Sequence, residues 1–233
     1  MPIEVRRAED RLVVRDGGHT TWHSFSFGPH YDQHNVGFGA LVAHNDELLP
    51  PGTGYPDHPH RDTEIVTLVL AGALAHRDTG GHAGVLHPGQ VQLLSAGSGV
   101  VHEERSKSGE PTRFLQMWLR PDEAGLVPSY ASAAVDGVDG RLVCVAAGAS
   151  SEWAGTGVPV HTRGTSMHVG RLDSGTALAL PNARRLHVFV VSGALTIGDR
   201  LLTDGAAGRL VDQGGRQVSA TEPHTGLVVW ALP

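Results

Sequence analysis

The chain has 233 residues, enough for one large all-β domain or two compact ones, and 40% of them are hydrophobic, enough to fill a core. Aromatic residues make up only 5%, whereas 31 glycines and 14 prolines suit many short strands joined by tight turns more than long amphipathic helices. Eighteen Lys and Arg against 24 Asp and Glu leave a formal charge of -6, which argues against an extended footprint for nucleic acid.

The chain opens with Met1-Pro2-Ile3-Glu4-Val5-Arg6-Arg7, which alternates polar and apolar residues and lacks the apolar run of a secretory signal, so a cytoplasmic protein is expected. No segment approaches the roughly 18 consecutive apolar residues of a membrane span. Further along, His58-Pro59-His60 puts two imidazoles two residues apart, so on a strand both face one side and reach one ion. Pro59 cannot donate a ladder hydrogen bond, which places this stretch at an edge or a strand start.

The run Glu64-Ile65-Val66-Thr67-Leu68-Val69-Leu70 reads as a strand ended by Ala71-Gly72, and Val91-Gln92-Leu93-Leu94 as another opened by Pro88-Gly89. Gly97-Ser98-Gly99 lacks the third glycine of a dinucleotide-binding pattern and is read as a turn. His102 and Glu104 then repeat the two-residue spacing about forty residues after the first pair, and parity selects Glu104 over Glu103. Together His58, His60, His102 and Glu104 offer three nitrogens and one oxygen to a metal.

Between Pro121 and Gly140, prolines, glycines and acidic residues mark a connecting segment. The expected organisation is a metal-binding domain over 1–122, a linker over 123–140 and a second domain over 141–233. Cys144, the single cysteine, rules out a disulfide framework and sits in the apolar run Leu142-Val143-Cys144-Val145-Ala146, as a buried structural thiol would. Strand and turn signals follow at Thr176–Leu180, Leu186–Val191 and Ala194–Ile197. The phrases Leu68-Val69-Leu70-Ala71-Gly72-Ala73-Leu74 and Val188-Phe189-Val190-Val191-Ser192-Gly193-Ala194-Leu195 suggest two copies of one fold. The second half has His161, His168, His187 and His224 but no His-x-His pair.

The segment His58-Pro59-His60-Arg61-Asp62-Thr63-Glu64, with Val69-Leu70-Ala71-Gly72, His76-Arg77-Asp78, Pro88-Gly89 and Ser95 to Glu104, resembles the pirin family. Trp22-His23-Ser24-Phe25-Ser26-Phe27 upstream carries the same resemblance, which runs from about residue 17 through Met117-Trp118-Leu119 and more faintly beyond. It implies an all-β bicupin of two tandem jelly-roll barrels, with one divalent metal in the first barrel on His58, His60, His102 and Glu104. It also implies a second barrel without metal. Glu64, a ligand position in many other cupins, is expected in a supporting or packing role. Fe(II) is the first expectation, with Cu, Mn, Co, Ni and Zn all compatible with such donors.

Similarity to bacterial pirins further implies quercetin 2,3-dioxygenase activity, opening a flavonol ring with dioxygen and releasing carbon monoxide. Glu104 would then accept the proton of the flavonol 3-hydroxyl. Phe25, Phe27 and Phe38 are candidates to cover a flat ring, with a core role as the alternative. The second expectation is a metal-containing regulator, a transcription cofactor that acts on a protein partner rather than on DNA directly; the third is a structural metal protein.

Overall fold

The computed structural model describes residues 3–233. In chain order its strands begin with β1 (Glu4–Arg6), β2 (Leu12–Asp16), β3 (His19–His23), β4 (Leu41–Leu49), β5 (Gly54–His60) and β6 (Glu64–Ala71). There follow β7 (Leu74–Asp78), β8 (Ala83–Leu86), β9 (Gln90–Ser95), β10 (Val100–Ser106), β11 (Thr112–Leu119) and β12 (Ser129–Ala134). The second half contributes β13 (Leu142–Gly148), β14 (Val158–Val160), β15 (Ser166–Leu172), β16 (Ala177–Ala179) and β17 (Arg185–Ser192). Last come β18 (Ala194–Ile197), β19 (Arg200–Thr203), β20 (Ala207–Val211), β21 (Gln217–Ala220) and β22 (Thr225–Leu232). The chain is all-β, two cupin-type barrels in tandem, and no helix among the described residues is long and apolar enough to cross a membrane.

In the first barrel a large sheet runs β12-β9-β6-β11-β4-β3-β2 and a small one β5-β10-β7-β8. Strand alternation sorts its side chains. Leu49, Val69, Leu74, Leu86 and Phe114 form one apolar cluster, while Ile65, Leu94, Ala96 and Val100, with Trp118 against them, form another. Inward positions of the same strands also carry buried polar residues: Asn45 and Glu47 on β4, Thr67 on β6, Gln92 on β9, His102 and Glu104 on β10, and Gln116 on β11. The intervening residues of β6, Glu64, Val66 and Leu68, are buried as well. Burial on both faces accounts for the apolar run from Ile65 to Leu70, broken only by Thr67, where a half-exposed strand would alternate.

The second barrel repeats the plan. Its strands run β1-β20-β17-β22-β15-β13 in the large sheet and β16-β21-β18-β19 in the small one. The equivalent hairpins share one device. Gly72 and Gly193 both have φ of +75°, and in both a Cβ would lie 2.6 Å from a threonine hydroxyl, Thr112 in one barrel and Thr225 in the other. Thr112 donates to the Ala73 carbonyl and accepts from the Ala73 N–H, and Thr225 does the same with Ala194. The inner face is mostly apolar here, built on Leu186, Val188, Val190, Leu195, Ile197, Leu227 and Val229, with His168 opposite Val229 and Ser166 opposite Ala231 as buried polar exceptions.

The division of the chain differs from the expected 1–122, 123–140 and 141–233. Ser129–Ala134, inside the expected linker, is β12, paired residue for residue with β9. β1, from the first stretch of chain, pairs with β20 as Glu4↔Arg209 and belongs with the second barrel, and residues 158–162 belong with the first. Proline and glycine density reports turns but is blind to a short strand of Ser, Tyr and Ala whose partner lies about forty residues away.

The Gly72 hairpin yields a stability test. Gly72→Ala must place a Cβ 2.8 Å from the Thr112 Cα at a left-handed φ, which should cost about 2–4 kcal/mol of strain and overpacking. Gly84→Ala, with open space around the added carbon, should be neutral or slightly stabilising. Urea midpoints of the two variants check this, and equal midpoints would mean the hairpin tolerates the carbon.

Candidate metal centre

The antiparallel pairing of β5 with β10 sets His58 opposite His102 and His60 opposite Val100. His58 and His60 share one side of β5, and His102 meets them, with ring centroids 4.3 Å from His58 and 5.0 Å from His60. One ligating nitrogen from each of the three lies within 4.8 Å of the others. Pro59 costs little here because β5 is an edge strand.

Protonation suits donation to a metal. The His58 Nδ1–H donates to the Pro56 carbonyl at 2.8 Å, which leaves Nε2 as the ring atom available for other partners. Burial, with His58 adding to it, pushes His60 down to about 4, and burial plus His58 and His60 pushes His102 down to about 3. Both rings are therefore neutral near pH 7. His60 Nε2 and both ring nitrogens of His102 are buried with no hydrogen-bond partner. Orphaned buried nitrogens are costly, and ligation of a divalent transition metal would satisfy them, so the residues fit such an ion.

Glu104 points inward and is fully buried. Its Oε1 accepts from the Gln92 amide at 3.2 Å and its Oε2 from the Gln116 amide at 2.7 Å, while burial raises the carboxyl to about 7. Glu103 points outward, where Arg77 and Arg105 donate to it at 2.5 and 3.0 Å and hold it below the usual carboxylate range. The four expected ligands are spread over two overlapping groups, the second of which includes a further histidine. His58, His60 and His102 make the first; His76, His102 and Glu104, again within 4.8 Å, make the second, and a register shift on β10 between His102 and Glu104 separates them.

His76 is the residue that sequence reasoning missed. It stands opposite Glu104 on β7, and its Nε2–H donates to Asp78 Oδ2 at 2.9 Å, leaving Nδ1 buried without a partner. Burial would raise Asp78, but hydrogen bonds from His76 and His82 outweigh it and keep the carboxyl low. The signal was in the chain: His76 and Asp78 stand two apart, the same spacing as the ligand pairs.

Glu64 lies elsewhere. Ser95 donates to its Oε1 at 2.6 Å and the His161 N–H to its Oε2 at 2.9 Å, so it fastens β6 to the 158–162 segment. Cys144 is buried and its thiol is raised to about 11 by burial, as suits an inert structural cysteine. In the second barrel, His168 accepts from or donates to the Ser166 hydroxyl at 2.9 Å.

His58 and His60 also form part of the wall of a cavity of about 370 Å³. Tyr55, Trp118 and Phe27 supply aromatic surface, and Phe27 stacks on His23 at 4.5 Å. The two other phenylalanines considered as ring covers do not line it: Phe25 is 3% exposed and packed in the interior, and Phe38 bridges to Leu41. Two carboxylates do line it, the exposed Asp16 and the buried Glu47. Glu47 accepts from the Thr21 hydroxyl at 2.5 Å and the Tyr55 hydroxyl at 2.8 Å, and burial raises it to about 7.

Comparison with known proteins agrees with this architecture. A family model described as Pirin matches residues 5–119. A Mycobacterium tuberculosis protein named "putative quercetin 2,3-dioxygenase" is 42% identical over 234 residues, spanning 99% of this chain and 95% of that protein. A pirin-like protein of Caulobacter vibrioides is 35% identical over 228 residues, covering 93% and 94% of the two chains. The crystal structure of an Escherichia coli bacterial pirin in complex with nickel(II) superposes with a TM-score of 0.91 at 28% identity, covering 100% and 99%.

Two outcomes are expected. His60→Ala should lower metal content in freshly purified protein while His187→Ala leaves it intact, and equal loss in both would overturn a single site in the first barrel. For metal-free protein, the raised Glu47 carboxyl holds a proton that the unfolded chain releases above about 4.5, so its contribution is complete below that value and is lost as pH rises through about 7. Glu47→Gln should accordingly gain in urea midpoint relative to the wild type between pH 5 and 8. A gap that does not move with pH would sink this account.

Proposed function

The chain belongs to the pirin family, and from that premise we propose that it is a metal-dependent dioxygenase opening the ring of a flavonol such as quercetin. The observation that carries the reading is the convergence of three imidazoles, His58, His60 and His102, the first two of which form part of the wall of a cavity with aromatic sides. Relatives named quercetin 2,3-dioxygenase, at 32–42% identity, supply the substrate class.

His58, His60, His102 and Glu104 are proposed to hold one divalent ion, Fe(II) first, with Cu, Mn, Co, Ni or Zn accepted by the same donors. When bound, a redox-active metal supplies the dioxygen chemistry that no side chain here provides. The chain's own part is to seat the ring and move a proton. Phe27 and Trp118 offer flat surface, and Tyr55 and Pro56 close the cavity beside the histidines. Glu104 is proposed to take the proton of the 3-hydroxyl: a carboxyl poised near 7 by burial has the basicity for it, and the Gln92 and Gln116 amides fix its orientation.

The test is loss of the visible flavonol band under air with protein loaded with iron. Glu104→Gln should lower turnover by about 10² to 10⁴ while metal content, measured on the same sample, falls far less. Near-normal turnover at full occupancy would remove Glu104 as the base. Absence of turnover with every redox metal would favour a metal-containing regulator that acts on a protein partner.

A further inference from the structure

We propose that Glu47 determines which ligand the cavity accepts: its carboxylate, held by Thr21 and Tyr55, takes a hydroxyl of a planar phenolic ligand and turns aromatic anions away. The natural ligand's identity rests on the dioxygenase reading; the subsite itself rests on the cavity.

β4 alternates two carboxylates with different fates. Asp46 leaves the barrel side and is gripped by the Arg113 guanidinium through two bonds of 3.0 and 2.8 Å. Glu47 turns inward with Asn45, lines the cavity, and has no ion-pair partner among the described residues. Its donors are neutral: the Thr21 hydroxyl from β3 and the Tyr55 hydroxyl from β5, both directed at Oε2, and the Asn45 amide beside it. A buried carboxylate without a countercharge weakens a fold, so tying β3, β4 and β5 together is a poor reason for it: a glutamine would make the same bonds without the charge. Retaining the charge beside a cavity makes sense when a ligand donates to it.

The surroundings limit that ligand's chemistry. Trp118, Phe27 and Tyr55 want a flat apolar body. The carboxylate wants a hydrogen-bond donor, and it repels a second negative charge across a small, partly desolvated space. A phenolic hydroxyl on an uncharged ring satisfies both demands, and an aromatic carboxylate satisfies only the first.

Zinc-loaded protein at pH 8, with metal content checked for each sample, allows the two ligand types to be compared by ligand-observed NMR titration. Resorcinol serves as the phenol and benzoate as the anion. Glu47→Gln should weaken resorcinol about fivefold, the difference between a charge-assisted and a neutral hydrogen bond, and should strengthen benzoate about threefold. Glu47→Asp, which keeps the charge but withdraws it by one methylene, should weaken resorcinol without admitting benzoate. Opposite signs for the two ligands cannot come from general damage to the barrel. Failure of resorcinol to bind the wild type, weakening of both ligands in Glu47→Gln, or indifference of both would each overturn the subsite. A protein that shows the opposed shifts yet cleaves no flavonol keeps the subsite and loses the dioxygenase reading.

Discussion

The register of β5 against β10 is the constraint on which the candidate site depends. Antiparallel pairing sets His58 directly across from His102, and the two-residue period of β5 then carries His60 to the same side. A slip of β5 by one residue would send His58 and His60 to the opposite face, put Pro59 in their place and leave His102 without them. Neighbouring β7 reads from the same strand, since its pairing with β10 sets His76 opposite Glu104 and Asp78 opposite His102. Hydrophobic clusters at Leu49 and Phe114 on one side, and at Ile65 and Leu94 on the other, leave the polar residues between them no freedom to shift along the strands.

The second barrel shows what the same scaffold becomes when most of the polar interior is replaced, His168 and Ser166 being what remains on its inner face. Matching the hairpins at Gly72 and Gly193 puts Thr67 in correspondence with Val188, His76 with Ile197 and Gln116 with Val229. The registers agree, because Thr67 pairs with Gln116 in one sheet and Val188 with Val229 in the other. Likewise β5 and β10 pair His58 with His102, whereas β16 and β21 pair Leu178 with Val218. Each replacement swaps a hydrogen-bonding or ligating group for an apolar one and turns a cavity wall into packed core. Backbone geometry is therefore indifferent to the chemistry; the inward-facing side chains alone distinguish the barrels.

Much of this was legible from residue order. The runs Glu64–Leu70, Val91–Leu94, Leu186–Val191 and Ala194–Ile197 fall within β6, β9, β17 and β18, because β-branched and apolar stretches bounded by glycine are a local signal. Two-residue spacing identified the inward histidines for the same reason. What escaped was non-local. β1 and β12 find partners on β20 and β9 far along the chain, and no window of sequence reports such pairing. His76 was hidden because its significance lies in facing Glu104 across a strand boundary, and Glu47 because Thr21 and Tyr55 reach it from strands 26 and 8 residues away. Phe25, Phe27 and Phe38 were indistinguishable as letters, and only their places in the fold, Phe25 in the interior and Phe38 bridged to Leu41, separate them from the Phe27 that lines the cavity.

The polar interior of the first barrel carries an electrostatic tension with a specific resolution. Burial depresses the imidazoles of His60 and His102, and each crowded ring depresses the next. Burial raises the carboxyls of Glu47 and Glu104, and Glu47 raises Glu104 further. Bare, the barrel therefore holds neutral bases beside acids reluctant to ionise, at a cost to stability that the second barrel, with no inward carboxylate in its apolar cluster, bears far less. A divalent cation would reverse that balance. It would satisfy the unpartnered nitrogens, require the histidines to be neutral, and favour ionised Glu104, so each perturbation that burial imposes on the histidines becomes a step already taken toward ligation. Glu47 stands apart from this, since it lies outside both ligand groups and faces the cavity instead. The division of labour between the two buried carboxylates, one beside the imidazoles and one facing the ligand space, thus follows from which residues β4 and β10 turn inward.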